Sequence, residues 1–215
     1  MQNLRFLLYA IVLIGFSLAG AGSYEDFFTA ITQDDESKLR QLVVRGFDVN
    51  TIGPGGLHGL LMAIRQPSPK AVAVLLRSPG IQAEVRNAND ESAVMLAALA
   101  GMREACEQLI ALDADVNKTG WTPLHYAATG GHDSIVRLLL THFAYIDAES
   151  PNGTTPLMMA ARYGNATTVA LLMDAGADLQ LRNAAGLNAL DFARIGEREA
   201  AYKLLFARMG VAATP

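Results

Sequence analysis

The sequence predicts an all-α fold, a solenoid of about six stacked helix–turn–helix units joined by β-hairpin connections, with the first and last units acting as caps. Three observations carry this. A short motif recurs with a period near 33 residues, an apolar helical segment follows each copy, and a turn built around an aspartate closes the unit. The composition agrees: of 215 residues, 51% are hydrophobic and 18% charged, a balance that excludes a disordered chain and supplies a large core. A net charge of -4 argues against a basic nucleic-acid surface. A lone cysteine, Cys106, excludes an intrachain disulfide framework and a Cys-rich zinc site.

In chain order, residues 1–21 come first. Arg5 precedes an uncharged run from Phe6 to Gly22, and Ala19-Gly20-Ala21 fits a small-residue cleavage site. A basic start, a short apolar stretch and a small-residue exit read as a secretory signal peptide cut after Ala21. The alternative is a retained anchor, for which the run is short against a hydrocarbon core of about 30 Å. Position 21 is Ala rather than Cys, so no thiol is present there for lipidation. Export without disulfides fits the bacterial periplasm, the alternative being an inner-membrane anchor facing the periplasm. The triplets beginning at Asn117, Asn152 and Asn165 match the N-glycosylation pattern by chance in such a setting.

The repeat motif is clearest in Thr122-Pro123-Leu124-His125-Tyr126-Ala127-Ala128. It returns as Thr155-Pro156-Leu157-Met158-Met159-Ala160-Ala161 and as Asn188-Ala189-Leu190-Asp191-Phe192-Ala193. Weaker copies start at Ser92 and His58, so the starts are separated by 34, 30, 33 and 33 residues. The second signals are Ala71 to Leu76, Ala105 to Ile110, Ile135 to Leu140, Val169 to Met173 and Ala200 to Leu205. The closing signals include Asp48-Val49-Asn50, Asp115-Val116-Asn117 and Asp178-Leu179.

This pattern resembles the ankyrin-repeat family, over about residues 24–210. The resemblance implies a capping repeat at 22–54, four repeats over 55–182, a capping repeat at 183–210 and a tail at 211–215. Thr at the helix start accepts a hydrogen bond from a free backbone N–H, and Pro at the first helical position lacks an N–H that would be orphaned anyway. Gly131 and Gly164 are expected to end their helices in the left-handed conformation. Repeats two and three have lost Thr-Pro, and Gln66-Pro67-Ser68-Pro69 forces a stiff turn.

No catalytic constellation stands out. His58, His125, His132 and His142 lack metal-ligand spacing, and His125 and His132 read as structural hydrogen-bonding residues. Cys106 occupies the apolar slot that Val136 fills in the next repeat, as an inert buried hydrophobe. Gly53-Pro54-Gly55-Gly56 fails the phosphate-loop spacing and lies at a hairpin tip. Asp34-Asp35-Glu36 reads as a solvated helix start. No metal and no cofactor is expected, nor an enzyme.

What remains is a surface. The resemblance implies binding through a concave side made of hairpin tips and first helices. The slots are Asn89, Glu91 and Leu99 in repeat three, and Lys118, Thr119, Trp121, Tyr126 and Thr129 in repeat four. Repeat five adds Pro151, Asn152, Thr154, Met159, Arg162 and Tyr163, and repeat six Ala185 and Leu187. The protein-binding set is Trp121, Tyr126, Lys118, Thr129, Asn152, Arg162 and Tyr163. An outward-facing Trp121 beside Tyr126, Arg162 and Tyr163 has the composition of an interface hot spot.

The expected function is a non-catalytic scaffold that docks one or more proteins and modulates or stabilises them. The alternatives are an immunity or inhibitor protein against a toxin and a membrane-tethered adaptor. A monomer is expected, with no nucleic acid and, after leader removal, no membrane as partner. Weak helix starts in repeats two and three predict faster backbone amide exchange in the N-terminal half, measurable by hydrogen exchange.

Overall fold

The computed structural model describes residues 22–66 and 68–210. The signal-peptide reading of 1–21, Pro67 and the tail at 211–215 lie outside the described residues. Six helix pairs follow one another. They are α1 (22–32) with α2 (Glu36–Val44), α3 (Gly59–Arg65) with α4 (Pro69–Leu76), and α5 (Ala93–Leu99) with α6 (Arg103–Ala111). Then come α7 (Pro123–Gly130) with α8 (Asp133–Thr141), α9 (Pro156–Arg162) with α10 (Ala166–Asp174), and α11 (Ala189–Ile195) with α12 (Glu199–Met209). The chain divides between Gln82 and Ala83 into two compact units.

In the N-terminal unit, Phe27, Ile31, Leu39, Leu60, Leu61 and Leu75 are fully buried. Each such side chain contributes about 1.5–3 kcal/mol relative to exposure. The Asp34-Asp35-Glu36 run is more than a solvated helix start. Asp35 accepts the Lys38 N–H and caps α2, while Asp34, at φ 51°, accepts the Ala71 N–H at 2.8 Å and so caps α4. The Gly53–Gly56 stretch is a tip: a single 3-10 turn over Pro54–Gly56, closed by the Ile52–His58 bridge. Asn50 then clamps the following loop, donating to the Gly80 carbonyl and accepting the Gln82 N–H.

In the C-terminal unit, first helices pack in the order α5, α7, α9, α11 and second helices in the order α6, α8, α10, α12. The reason is side-chain size. Ala127, Ala128, Ala160, Ala161 and Ala193 are fully buried at the first-helix contacts, so the helix axes approach closely. The second helices bury Cys106, Leu109, Ile135, Val136, Leu139, Val169 and Leu172, with spacings of three and four that place them on one face.

The helix starts correct one expectation. The loss of Thr-Pro does not leave repeats two and three uncapped. Ser92 accepts the Met95 N–H and its own N–H reaches the Met95 sulfur, both at 3.4 Å, while His58 Nδ1 accepts the Leu60 N–H at 3.1 Å. Repeat five does the same with Thr155 and Met158, and repeat six with Asn188 and Asp191. Several chemistries thus meet one need, the orphaned N–H groups of a short helix, and slower exchange in repeats four and five no longer follows from helix capping.

In the C-terminal unit, a second set of ties joins repeats four, five and six each to the one before. The residue preceding the second helix donates to a carbonyl at the end of the previous first helix. His132 Nε2 reaches Leu99, Asn165 Nδ2 reaches Gly131, and the Arg198 guanidinium reaches Arg162 and Tyr163. These bonds satisfy C-terminal carbonyls that the helix itself leaves open. On the hairpin side, Asn117 repeats the Asn50 clamp, donating to the Phe143 carbonyl and accepting the Tyr145 N–H. The connections between pairs are turns with the isolated bridges Ile52–His58 and Arg86–Ser92; no longer ladder forms among the described residues.

Two backbone positions show where residue identity is forced. Gly131 is left-handed at φ 68°, as expected. Gly164 is not: its constraint is space, because a Cβ there would lie 2.5 Å from the Ala128 carbonyl oxygen and 2.9 Å from that of Ala160. Conversely, Phe143 adopts φ 61° and is 85% exposed, at the position where repeat five has Gly176. A bulky residue in that region is strained, and no burial offsets it.

Two stability changes follow. Gly164→Ala should destabilise the fold by about 2–3 kcal/mol through backbone overpacking. Phe143→Gly should stabilise it by roughly 0.5–1 kcal/mol, since relief of the left-handed strain exceeds the entropy that glycine adds to the unfolded chain. Urea denaturation midpoints of the two variants test both signs.

Candidate functional site

The C-terminal unit carries a groove of about 320 Å³ lined by Glu91, Leu99, Trp121, Tyr126, Thr129 and Met159. Three consecutive repeats build it. Leu124, Ala127 and Ala128 turn one side of α7 inward, which leaves Tyr126 and Thr129, three residues apart, on the side that lines the groove. Met159 occupies in α9 the slot that Tyr126 fills in α7, 33 residues earlier. Leu99 closes α5 and is 41% exposed. Glu91 and Trp121 come from the loops that lead into α5 and α7.

Hydrogen bonds fix the walls. The Tyr126 hydroxyl donates to Glu91 Oε1 at 2.8 Å, and the Asn87 amide donates to Oε2 at 2.6 Å. Burial, then the adjoining Glu91 carboxylate, raises the Tyr126 hydroxyl well above its ordinary pKa, so it stays a donor at neutral pH. The Thr129 hydroxyl donates to the His125 carbonyl within its own helix. Trp121 is half-buried rather than projecting freely. Its indole meets the His125 ring edge-on, with centroids 5.2 Å apart and planes at 74°. Its removal would therefore cost packing, about 0.5–1.5 kcal/mol for such a ring pair.

The sequence-derived binding set divides in space. Trp121, Tyr126 and Thr129 line the groove; Lys118, Asn152, Arg162 and Tyr163 are not among its lining residues. The Lys118 ammonium is held by Asp90 at 2.5 Å, and hydrogen bonds from Lys118 and then Arg86 keep the Asp90 carboxyl below its ordinary range. Asn152 Oδ1 accepts the Ser150 hydroxyl, and the Asn152 carbonyl accepts the Ala184 N–H, which stitches repeat five to repeat six. The Arg162 guanidinium lies 5.0 Å from the Tyr163 ring centroid, at the end of α9 where Arg198 grips both carbonyls. Thr154 is buried, its carbonyl taken by His125. Glu91, Leu99 and Met159 were visible only as equivalent slots; an aliphatic residue and a thioether carry no interface signal until the fold puts them beside the indole.

Titratable groups here serve structure. Burial pushes the Cys106 thiol up to about 12, with Glu107 adding to the effect, so it stays protonated. Burial raises the Asp147 carboxyl above its ordinary value, an effect partly offset by the Asp178 N–H that it accepts. No group of three His, Cys, Asp or Glu that could hold a metal occurs among the described residues. No helix among them is long and apolar enough to cross a membrane.

His125 is fully buried. Its Nδ1 accepts the Thr122 N–H at 3.1 Å, so the ring proton sits on Nε2, which donates to the Thr154 carbonyl at 2.9 Å. One neutral imidazole thus fastens its own helix start and the next repeat. Burial lowers its pKa from 6.5 to about 4. The folded state therefore binds fewer protons than the unfolded state between these values. The stabilisation is complete above pH 6.5 and lost as pH falls toward 4, by about 3 kcal/mol at most. Burial lowers His58 as well, with the same sign. Denaturation midpoints measured from pH 7 to pH 4 should fall with acidification, and His125→Gln should flatten much of that slope.

Comparison with known proteins agrees with this geometry. Family models described as "Ankyrin repeats (3 copies)" and "Ankyrin repeats (many copies)" match residues 60–150 and 141–193. The mouse B-cell lymphoma 3 protein homolog is 30% identical over 152 residues, covering 67% of this chain and 34% of the relative. The mouse nuclear factor NF-kappa-B p105 subunit is 31% identical over 163 residues, covering 72% of this chain and 17% of the relative. The chain thus spans about a third or less of these two relatives. A solved complex of the Bd0816 predatory endopeptidase from Bdellovibrio bacteriovorus with immunity protein Bd3460 contains a chain that superposes with a TM-score of 0.72. The two are 27% identical, and the match covers 85% of this chain and 97% of the other. Repeat period, helix-start chemistry, fold and family models converge, and the chain belongs to the ankyrin-repeat family.

Proposed function

We propose that this protein is a non-catalytic docking module that binds a partner protein through the groove between α5, α7 and α9, and modulates or stabilises that partner. The observation that carries the reading is the groove itself: Leu99, Trp121 and Met159 leave apolar surface open beside the oriented Tyr126–Glu91 pair. A rigid aromatic anchor with an aliphatic rim and an oriented polar group is the arrangement that concentrates binding energy at interfaces. Cys106 is committed to packing, and His125 and Asp147 to hydrogen bonds that join segments of the stack, which supports a binding role over catalysis. The leader-like segment at 1–21 and the absence of a cysteine pair support action in the bacterial periplasm, with an anchored form as the alternative.

A narrower reading is favoured by the solved relative, which comes from an endopeptidase bound to an immunity protein. By that likeness, the partner here is an enzyme or toxin that the repeats restrain. The two readings share the docking surface and differ in whether the partner loses activity on binding.

Leu99 offers the cleaner test, because it lines the groove and its side chain is partly exposed. Leu99→Glu should lower affinity for a partner recovered by cross-linking in the source cells by about tenfold or more, at a stability cost of about 1 kcal/mol or less. Tyr163→Ala, outside the groove, should leave affinity unchanged. Equal binding by wild type and Leu99→Glu would place the docking surface elsewhere.

A further inference from the structure

The loop after α8 departs from its neighbours at two positions. Aligned by repeat, the turns that follow α6, α8 and α10 read Asp113-Ala114-Asp115, Phe143-Ala144-Tyr145 and Gly176-Ala177-Asp178. The first residue of each is left-handed, at φ 61°, 61° and 98°. Aspartate and glycine suit that conformation, and phenylalanine does not. The third residue is an aspartate in both flanking loops, where its carboxylate accepts the N–H two residues on, that of Asn117 or Gln180. Tyr145 has no carboxylate to close its loop in this way. The alanine between is buried in all three, which keeps the loops in one register. Both departures work against local stability, and both set an aromatic ring in solvent, Phe143 85% and Tyr145 69% exposed. The backbone beneath them is fixed, because Asn117 clamps the Phe143 carbonyl and the Tyr145 N–H. Strain kept where the fold gains no burial marks a position selected for use rather than for stability.

The surroundings select the occupant. Asp113, Asp115 and Asp178 are exposed in the flanking loops and form no ion pair among the described residues. Asp147 and Glu149 follow Tyr145 in its own loop, against one histidine, His142. Lys118, beside Asn117, is paired with Asp90, and Arg208 with Asp174. We propose that Phe143 and Tyr145 form a second docking site, apart from the α5–α7–α9 groove that neither of them lines, for a basic amphipathic segment of a partner protein. Its apolar side chains cover the two rings, and its lysine or arginine heads meet the flanking carboxylates. Rings of this kind offer large contact area with few torsions to immobilise, and their faces attract cations. A second copy of this chain fits less well, because a two-fold contact would set the carboxylates of one protomer against those of the other. An anionic lipid surface meets the same repulsion.

The probe is a capped, dye-labelled amphipathic tetradecapeptide of leucine and lysine, titrated with the full-length protein at physiological ionic strength and followed by fluorescence anisotropy. One control peptide has glutamate for every lysine, the other glutamine for every leucine. Saturable binding of the leucine–lysine peptide is expected, about tenfold or more tighter than either control. Phe143→Gly and Tyr145→Asn should each weaken it by about fivefold or more without lowering the urea midpoint, which separates lost contact from lost folding. Asp115→Asn combined with Asp178→Asn should also weaken it, since each carboxamide keeps its turn hydrogen bond and removes the charge. No saturable binding, equal binding of the glutamate peptide, or unchanged affinity in Phe143→Gly and Tyr145→Asn overturns the proposal. So does Phe143-dependent sedimentation with phosphatidylcholine–phosphatidylglycerol vesicles, which would give the patch to lipid, or a dimer that Phe143→Gly abolishes, which would give it to a second copy. The groove is untouched by these variants, and its docking role is decided by the Leu99→Glu measurement.

Discussion

Gly164 sits where a Cβ would meet the Ala128 carbonyl oxygen at 2.5 Å, and Ala127, Ala128, Ala160, Ala161 and Ala193 are fully buried along successive first helices. Close approach of these short helices is the constraint on which the rest of the C-terminal unit depends. A helix of seven or eight residues is too short to be stable alone. Its apolar surface disappears only against the next repeat, so stability is shared between neighbours. Small side chains make the approach possible, and the approach in turn brings His132, Asn165 and Arg198 within reach of the preceding repeat's carbonyls.

The polar chemistry of the stack follows from that geometry. Short helices expose a high proportion of unpaired N–H and C=O groups. The chain answers with imidazole at His58 and His125, thioether at Met95 and Met158, and carboxylate or carboxamide at Asp191 and Asn188. The same logic explains why so many conspicuous residues lack a chemical task. Asp34, His125 and Asn152 look reactive or exposed in sequence, yet each is spent on holding one segment to another.

That economy makes the groove distinctive. Part of its lining stays open: Leu99 ends α5 partly exposed, and Met159 and Tyr126 lie on the side of their helices away from the buried alanines. Phe143 is a different exception, an aromatic on strained backbone that is 85% exposed. Its loop is nevertheless held in place by Asn117.

The repeat was legible in the sequence because its period is a direct image of stacking: each unit needs the same cap, the same small-residue contact and the same apolar second face. Thr122-Pro123, Thr155-Pro156 and the alanine pairs therefore announced helices α7 and α9 and the side that each buries. Substituted caps were harder to see, because Ser92 with Met95 and His58 with Leu60 satisfy the same N–H groups with different atoms. The site was legible only in part. Trp121 and Tyr126 carry an interface signature by residue type, but Arg162 and Tyr163 share that signature and sit at the end of α9. Only tertiary structure decided which side chains meet. Grouping depends on how three repeats are superposed in space, and that superposition places Glu91, Leu99 and Met159 beside one indole although they are up to 68 positions apart in the chain.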